Sequence, residues 1–291
     1  MTNRATGLSR LRRAIDSAAA SLAGAGIDSA RTDAELLAAY VAGTERSRLT
    51  MIDPPGPDFY HHYDQVIARR AQRIPVQHLT GTAAFGPLEL QVGPGVFIPR
   101  PETEALLEWA VAQQLPAQPV IIDLCTGSGA LAVALATARP DARVIAVDDD
   151  PIALEYAKRN ARATAVELVA ADVTAAGLLA ELTGTVDLVV SNPPYIPAGA
   201  VLEPEVAQHD PAHALFGGPD GMAVIGPITG HAGRWLRPGG WLAIEHDDTT
   251  SDQTVETISR TGLFTAITAR RDLAGRPRFV TARRTGMEEP T

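Results

Sequence analysis

The chain has 291 residues, 45% of them hydrophobic, and a formal net charge of −9, which is enough for one large or two ordinary domains with a sizeable core. No run approaches the roughly 18 apolar residues of a membrane span, and the Ala-rich stretch after Arg12 and Arg13 is broken by Asp16, so a cytoplasmic protein without a membrane partner is expected. A single cysteine, Cys125, excludes an internal disulfide or a multi-cysteine metal site, and the seven histidines show no ligand spacing, so no metal is expected. Residues 1–75 carry 10 Arg and 8 acids, leaving 15 basic and 26 acidic residues beyond them. Such a surface is a poor general nucleic-acid binder, and no stable nucleic-acid partner is expected.

From Leu8 to about Arg73 apolar residues recur at helical spacing: Leu11, Ile15, Leu22, then Leu36, Leu37, Tyr40, Val41, then Tyr63, Val66, Ile67. Residues 1–73 are therefore expected to form a small helical domain. Its turns fall at Gly24-Ala25-Gly26 and Asp53-Pro54-Pro55-Gly56-Pro57, and Thr32 to Glu35 reads as a capping box opening the second helix. Residues 74–98 are broken by Gly81, Gly86, Gly93, Pro94 and Gly95, with alternation from Leu88 to Val92, and read as a β-hairpin linker.

Residues 99–285 alternate between helix and strand, with 286–291 a tail. The spacing predicts a helix over Glu104 to Gln114, strand Val120 to Leu124, helix Ala130 to Thr137, strand Arg143 to Val147 and helix Ile152 to Ala163. Strands Glu167 to Ala170 and Val186 to Val190 follow, then a helix around Met222 to Trp235, strand Trp241 to Glu245, helix Thr254 to Thr261 and two final strands. This alternation means an α/β fold: a doubly wound, Rossmann-like sheet with right-handed crossovers.

The strand Val186 to Val190 runs into Asn192-Pro193-Pro194-Tyr195. Paired prolines stop a strand and leave their carbonyls free, Asn192 adds a side-chain acceptor, and Tyr195 a flat ring. Together they suit a planar NH2 group, so the substrate is an amide or an exocyclic amine. The strand Val120 to Leu124 feeds into Cys125-Thr126-Gly127-Ser128-Gly129, a glycine loop at the sheet edge where doubly wound proteins bind nucleotides. Asp148, nineteen residues past Gly129, is placed to accept from ribose hydroxyls. The loop also fits a dinucleotide pattern, so NAD and S-adenosylmethionine both enter the comparison. Asp123 before the turn, Asp172 after the short third strand, and the tetrapeptide over the reacting position favour S-adenosylmethionine.

These residues resemble the HemK/PrmC protein-(glutamine-N5) methyltransferases, and the likeness runs almost end to end. It includes Pro75-Val76-Gln77-His78-Leu79-Thr80-Gly81, Ile98-Pro99-Arg100-Pro101-Glu102-Thr103-Glu104, Asp123 to Gly129 and Ser191 to Pro197. It continues through Ala214-Leu215-Phe216-Gly217-Gly218-Pro219-Asp220-Gly221 and Arg271 to Arg278. The resemblance implies a class I S-adenosylmethionine-dependent methyltransferase sheet, with S-adenosylhomocysteine as product. Its substrate would be the glutamine of the Gly-Gly-Gln motif in class-1 peptide chain release factors. It implies that Asp123, Cys125, Thr126, Gly127, Ser128, Gly129, Asp148, Asp172, Val173 and Asn192 hold the cofactor. Asn192, Pro193, Pro194, Tyr195 and Arg100 would meet the substrate, and the helical domain would grip the release factor. Two departures stand out: Asp247 replaces a usual glycine, and Val173 stands where some members carry an aromatic residue.

Asn192 and the Pro193 carbonyl are expected to accept the two amide hydrogens while Pro194 and Tyr195 hold the amide plane, with Glu245 and His246 as alternative bases. Three rivals remain at this point. One is a DNA amino-methyltransferase using the same tetrapeptide, which needs base flipping and a basic face. The others are a silent S-adenosylmethionine-binding interaction module and an NAD oxidoreductase.

Overall fold

The computed structural model describes residues 2–286, with side chains from residue 7 onward. Most of the expected tail therefore lies outside the described residues. The chain divides into two compact units: residues up to Thr82 together with Glu203–His209, and the remainder.

The first unit is built from α1 (Thr2–Gly24), α2 (Ala30–Ala42), α3 (Pro57–Ala71) and the short α4 (Val76–Thr80). Leu11, Ile15 and Leu22 on α1, Leu37 on α2, and Tyr63 and Ile67 on α3 meet in one apolar core, as their 3.6-residue spacing requires. Tyr63 satisfies its buried hydroxyl on the carbonyl of Ala34, 2.8 Å away. The capping box does not form. The second helix opens at Ala30, so Thr32 is already inside it, and the Glu35 carboxylate pairs with Arg31 and Arg46. Two guanidinium partners hold that carboxylate more strongly than a single backbone N–H at the helix start.

The second unit opens with a hairpin of β1 (Thr82–Phe85) and β2 (Leu88–Gln91), then α5 (Glu104–Val111), β3 (Val120–Leu124), α6 (Ala130–Ala138) and β4 (Arg143–Asp148). Next come α7 (Pro151–Asn160), β5 (Glu167–Ala170) and β6 (Val186–Ser191). After α8 (Pro204–His209), which belongs to the first unit, come α9 (Ile225–Trp235), β7 (Leu236–Glu245), α10 (Ser251–Arg260), β8 (Phe264–Arg271) and β9 (Pro277–Arg284). Among the described residues no helix is long and apolar enough to cross a membrane.

The large sheet has the order β5-β4-β3-β6-β7-β9-β8; the first five strands run parallel, and β9 runs antiparallel to both neighbours. Side chains alternate across it. Ile121, Val144 and Leu188 pack with Leu106 of α5 and Leu131 and Leu135 of α6 on one face. Ile122, Leu124, Ile145 and Val189 pack with Ile225 and Ile228 of α9 and Ile258 of α10 on the other. Strand order reverses between β3 and β6. That crevice, at the carboxyl ends of the strands, is where ligands bind in open α/β sheets.

Within the first unit, Glu205 on α8 accepts from Arg70 at 2.9 Å and Arg73 at 3.1 Å. Arg70 is only 3% exposed and also donates to Asp33 at 2.7 Å. A buried guanidinium with two carboxylates satisfies most of its donors, which is the condition for burying it at all.

Candidate active site

The crevice holds a cavity walled by the ends of four adjacent parallel strands. Asp123 lies near the end of β3 with Cys125 to Ser128 after it, Asp148 closes β4 with Asp149 and Asp150 after it, Asp172 to Thr174 follow β5, and Asn192 and Pro194 follow β6. Phe97, Thr103 and His213 complete much of the rest. Among these described wall residues there are five aspartates and no Lys or Arg. Such a wall repels a diphosphate and suits a cation. It therefore disfavours NAD and fits a sulfonium-bearing cofactor.

Each acidic group is held by local geometry. Asp123 Oδ2 accepts from the Thr126 hydroxyl at 2.6 Å and from the Ala132 N–H at 3.1 Å, while its buried Oδ1 has no partner. Burial raises its pKa to about 7, partly opposed by those two bonds. Asp148 accepts from the Gly127 N–H at 2.8 Å and the Asp150 N–H at 3.0 Å, and burial also pushes it upward. Asp172 closes a turn on Thr174, taking both its N–H and its hydroxyl at 2.7 Å, which lowers its pKa. Asp150 caps α7 through the Ile152 N–H and pairs with His213 at 3.1 Å. Gly127 has φ +57 with nothing within 4 Å of where a Cβ would stand, whereas a Cβ at Gly129 would press on Ala157 at 3.3 Å. The first glycine leaves an open cradle, and the second lets the turn pack on α7.

The tetrapeptide is gripped from behind by the Phe216 to Gly221 turn. Ile196 N–H donates to the Leu215 carbonyl at 2.8 Å, and Gly217 N–H donates to the Ile196 carbonyl at 3.0 Å. A Cβ on Gly217 would sit 2.5 Å from the Pro194 carbonyl oxygen, and one on Gly221 would sit 2.3 Å from that of Tyr195. Ser191 ties β6 to β3 by donating to the Leu124 carbonyl at 2.8 Å. The Asn192 NH2 donates to the Thr103 hydroxyl at 3.2 Å.

Residues 13–81 match the family model described as the PrmC N-terminal domain, and residues 94–213 match the methyltransferase small domain. The chain is 67% identical to the release factor glutamine methyltransferase of Mycolicibacterium smegmatis over 95% of its own length and 99% of the relative's. It is 65% identical to the protein of that name in Mycobacterium tuberculosis, over 95% of this chain and 92% of the other. The chain belongs to the release factor glutamine methyltransferase family. A more distant relative, 41% identical over 81% of this chain and 82% of the other, is the 4-amino-L-phenylalanine/4-methylamino-L-phenylalanine methyltransferase of Streptomyces pristinaespiralis. A methyltransferase from Pyrococcus furiosus shares the fold at a TM-score of 0.52 and 20% identity, over 76% of this chain and all of that one.

In this member of the family, the cavity brings together Asp123, Cys125, Thr126, Gly127, Ser128, Asp148, Asp172, Val173, Asn192 and Pro194. Gly129, Pro193, Tyr195 and Arg100 do not line it. Tyr195 packs on the core beside Arg278; burial, then the neighbouring Glu245, raises its pKa. Arg100 pairs with Asp210 and lies over the Phe97 ring, 5.0 Å from its centre. Glu245 and His246 are buried off the cavity wall, where burial pushes the carboxyl up to about 8 and keeps the imidazole neutral. Neither is placed to act as a base. Asp247 makes its own turn, accepting from the Thr249 N–H at 3.0 Å and hydroxyl at 2.6 Å, so the loop needs no glycine there.

The sequence reading passed over Phe97 and His213. The only signal for Phe97 was its place beside the Ile98 to Glu104 motif. His213 had none, because its role depends on Asp150, 63 positions earlier in the chain.

Proposed function

We propose that the protein transfers the methyl group of S-adenosylmethionine to the side-chain amide nitrogen, N5, of the glutamine in the Gly-Gly-Gln motif of class-1 peptide chain release factors. The observation that carries this reading is the set of the Asn192 amide. With its NH2 committed to Thr103, its carbonyl is the group left to receive a substrate, beside an acidic wall that suits a cationic donor. When bound, S-adenosylmethionine supplies an electrophilic methyl on a positive sulfur.

Asp123, with its unpartnered Oδ1, and Asp148 hold the charged and ribose parts of the cofactor, and Asp172 and Val173 the adenine. Cys125 to Gly129 form the turn that lets the cofactor approach the backbone. An amide nitrogen is a poor nucleophile because its lone pair is shared with its carbonyl, so orientation has to do most of the catalysis. The Asn192 Oδ1 and the Pro193 carbonyl accept the two amide hydrogens, and Pro194 keeps the amide plane, with Tyr195 supporting the strand end from the core. Orientation of this kind is worth about 7–11 kcal/mol in favourable cases, which makes a dedicated base unnecessary. The proton leaves after the new bond forms, when the nitrogen is acidic. Arg100 meets the protein substrate, and the helical unit docks the rest of the release factor. Family membership leaves the DNA amino-methyltransferase reading without support.

The test is incubation with methyl-labelled S-adenosylmethionine and a release factor, beside its Gln→Ala variant, with peptide mass locating the label. Label on the motif glutamine, absent from the variant, supports the reading. Label only on 4-amino-L-phenylalanine, offered in parallel, would replace it with a small-molecule substrate.

A further inference from the structure

Asn192 can meet a substrate amide in two ways, carbonyl first or NH2 first, and only the first accepts the substrate's hydrogens. The choice is made outside the tetrapeptide. We propose that Thr103 is a positioning residue that holds the Asn192 side chain with its carbonyl toward the substrate, an inference resting on the function proposed above.

Thr103 stands at the N-cap of α5, where threonine ordinarily turns its hydroxyl onto the helix's own N–H groups. Here it makes no cap bond. Its side chain is buried, and its Oγ1 accepts from Asn192 Nδ2 at 3.2 Å. That bond commits the Asn192 NH2 and leaves its Oδ1 free to accept at the cavity wall, which both residues line.

The experiment compares Thr103→Val, which deletes the hydroxyl at constant shape, with Thr103→Ser, which keeps it. Thr103→Val is expected to lower kcat about tenfold or more with cofactor affinity by calorimetry unchanged, while Thr103→Ser stays within about threefold of the unmodified protein. A second readout is independent of turnover. In 15N spectra the Asn192 side-chain amide, assigned by its absence in Asn192→Asp, should exchange slowly in the unmodified protein and Thr103→Ser and quickly in Thr103→Val. Unchanged kcat and exchange in Thr103→Val, or equal damage in Thr103→Ser, overturns the proposal. Should Thr103→Val not fold, Thr103→Ala takes its place beside Thr103→Ser. An unmodified protein that never labels release-factor glutamine overturns the functional reading alone, because the exchange comparison still decides the positioning.

Discussion

Gly217→Ala separates the buttress behind the tetrapeptide from the rest of the site. Gly217 is buried and its φ is not in the left-handed region, so alanine brings no backbone strain; the obstacle is space. Its Cβ would lie 2.5 Å from the Pro194 carbonyl oxygen and 2.9 Å from Tyr195 Cα, whereas ordinary contact begins at 3.4 Å. The Pro194 carbonyl must therefore retreat by about 0.9 Å, the kind of misplacement that costs roughly 100-fold in rate. Overpacking should lower stability by about 1–3 kcal/mol, or roughly 2–12 °C in melting temperature. The assay is methyl transfer to a release factor, with cofactor affinity by calorimetry and melting by fluorescence. The control is Gly230→Ala, an exposed position on α9 with nothing within 4 Å of the new methyl. It should gain up to about 1 kcal/mol of stability and leave turnover unchanged. A Gly217→Ala protein with turnover within threefold of the unmodified one would refute the buttress, and loss of cofactor affinity would move its role to the other side of the site.

Asn192→Ala should lower kcat at least about 100-fold while leaving cofactor affinity within a few-fold, a split that steady-state kinetics and calorimetry resolve; equal losses in both would reassign the residue to cofactor binding. Glu245 and Asp123 have folded pKa values of about 8 and about 7, above their ordinary values of 4.5 and 3.8. The folded protein therefore binds more protons than the unfolded chain between about pH 4 and 8, and stability contributed by these groups is present at the acid end and lost as pH rises through the folded values. Melting temperature should fall from pH 5.5 to 8.5, and Glu245→Gln should flatten that slope; an equal slope in the variant would show that other groups set it. Asp33→Ala leaves buried Arg70 with Glu205 and the Ile74 carbonyl only. It should cost about 3 kcal/mol in urea unfolding, at the low end for a broken buried pair, and a cost below 1 kcal/mol would mean that Glu205 suffices.

Much of the sheet was legible because its central strands are buried on both faces and read as apolar runs bounded by turn residues, as with Val120 to Leu124 and Val186 to Val190. Helix starts were less so. Ala30 opens α2 although Thr32 to Glu35 has the better capping pattern, because Glu35 is held by Arg31 and by Arg46 from another segment.

The chemistry-bearing residues of the site lie at strand ends and in the turns after them, so their types and spacing were enough to mark them: an amide with two prolines at one strand end, glycines and aspartates at its neighbours. Their directions were not encoded locally. Which way Asn192 faces depends on Thr103, 89 positions away; Tyr195 lies beside Arg278, and Gly217 packs on Pro194. Spacing along the chain fixes which residues share a strand or a helix face, because that geometry is local and periodic. Hydrogen-bond direction and close backbone contact arise only when the sheet brings distant segments together, and there the tertiary structure alone decides.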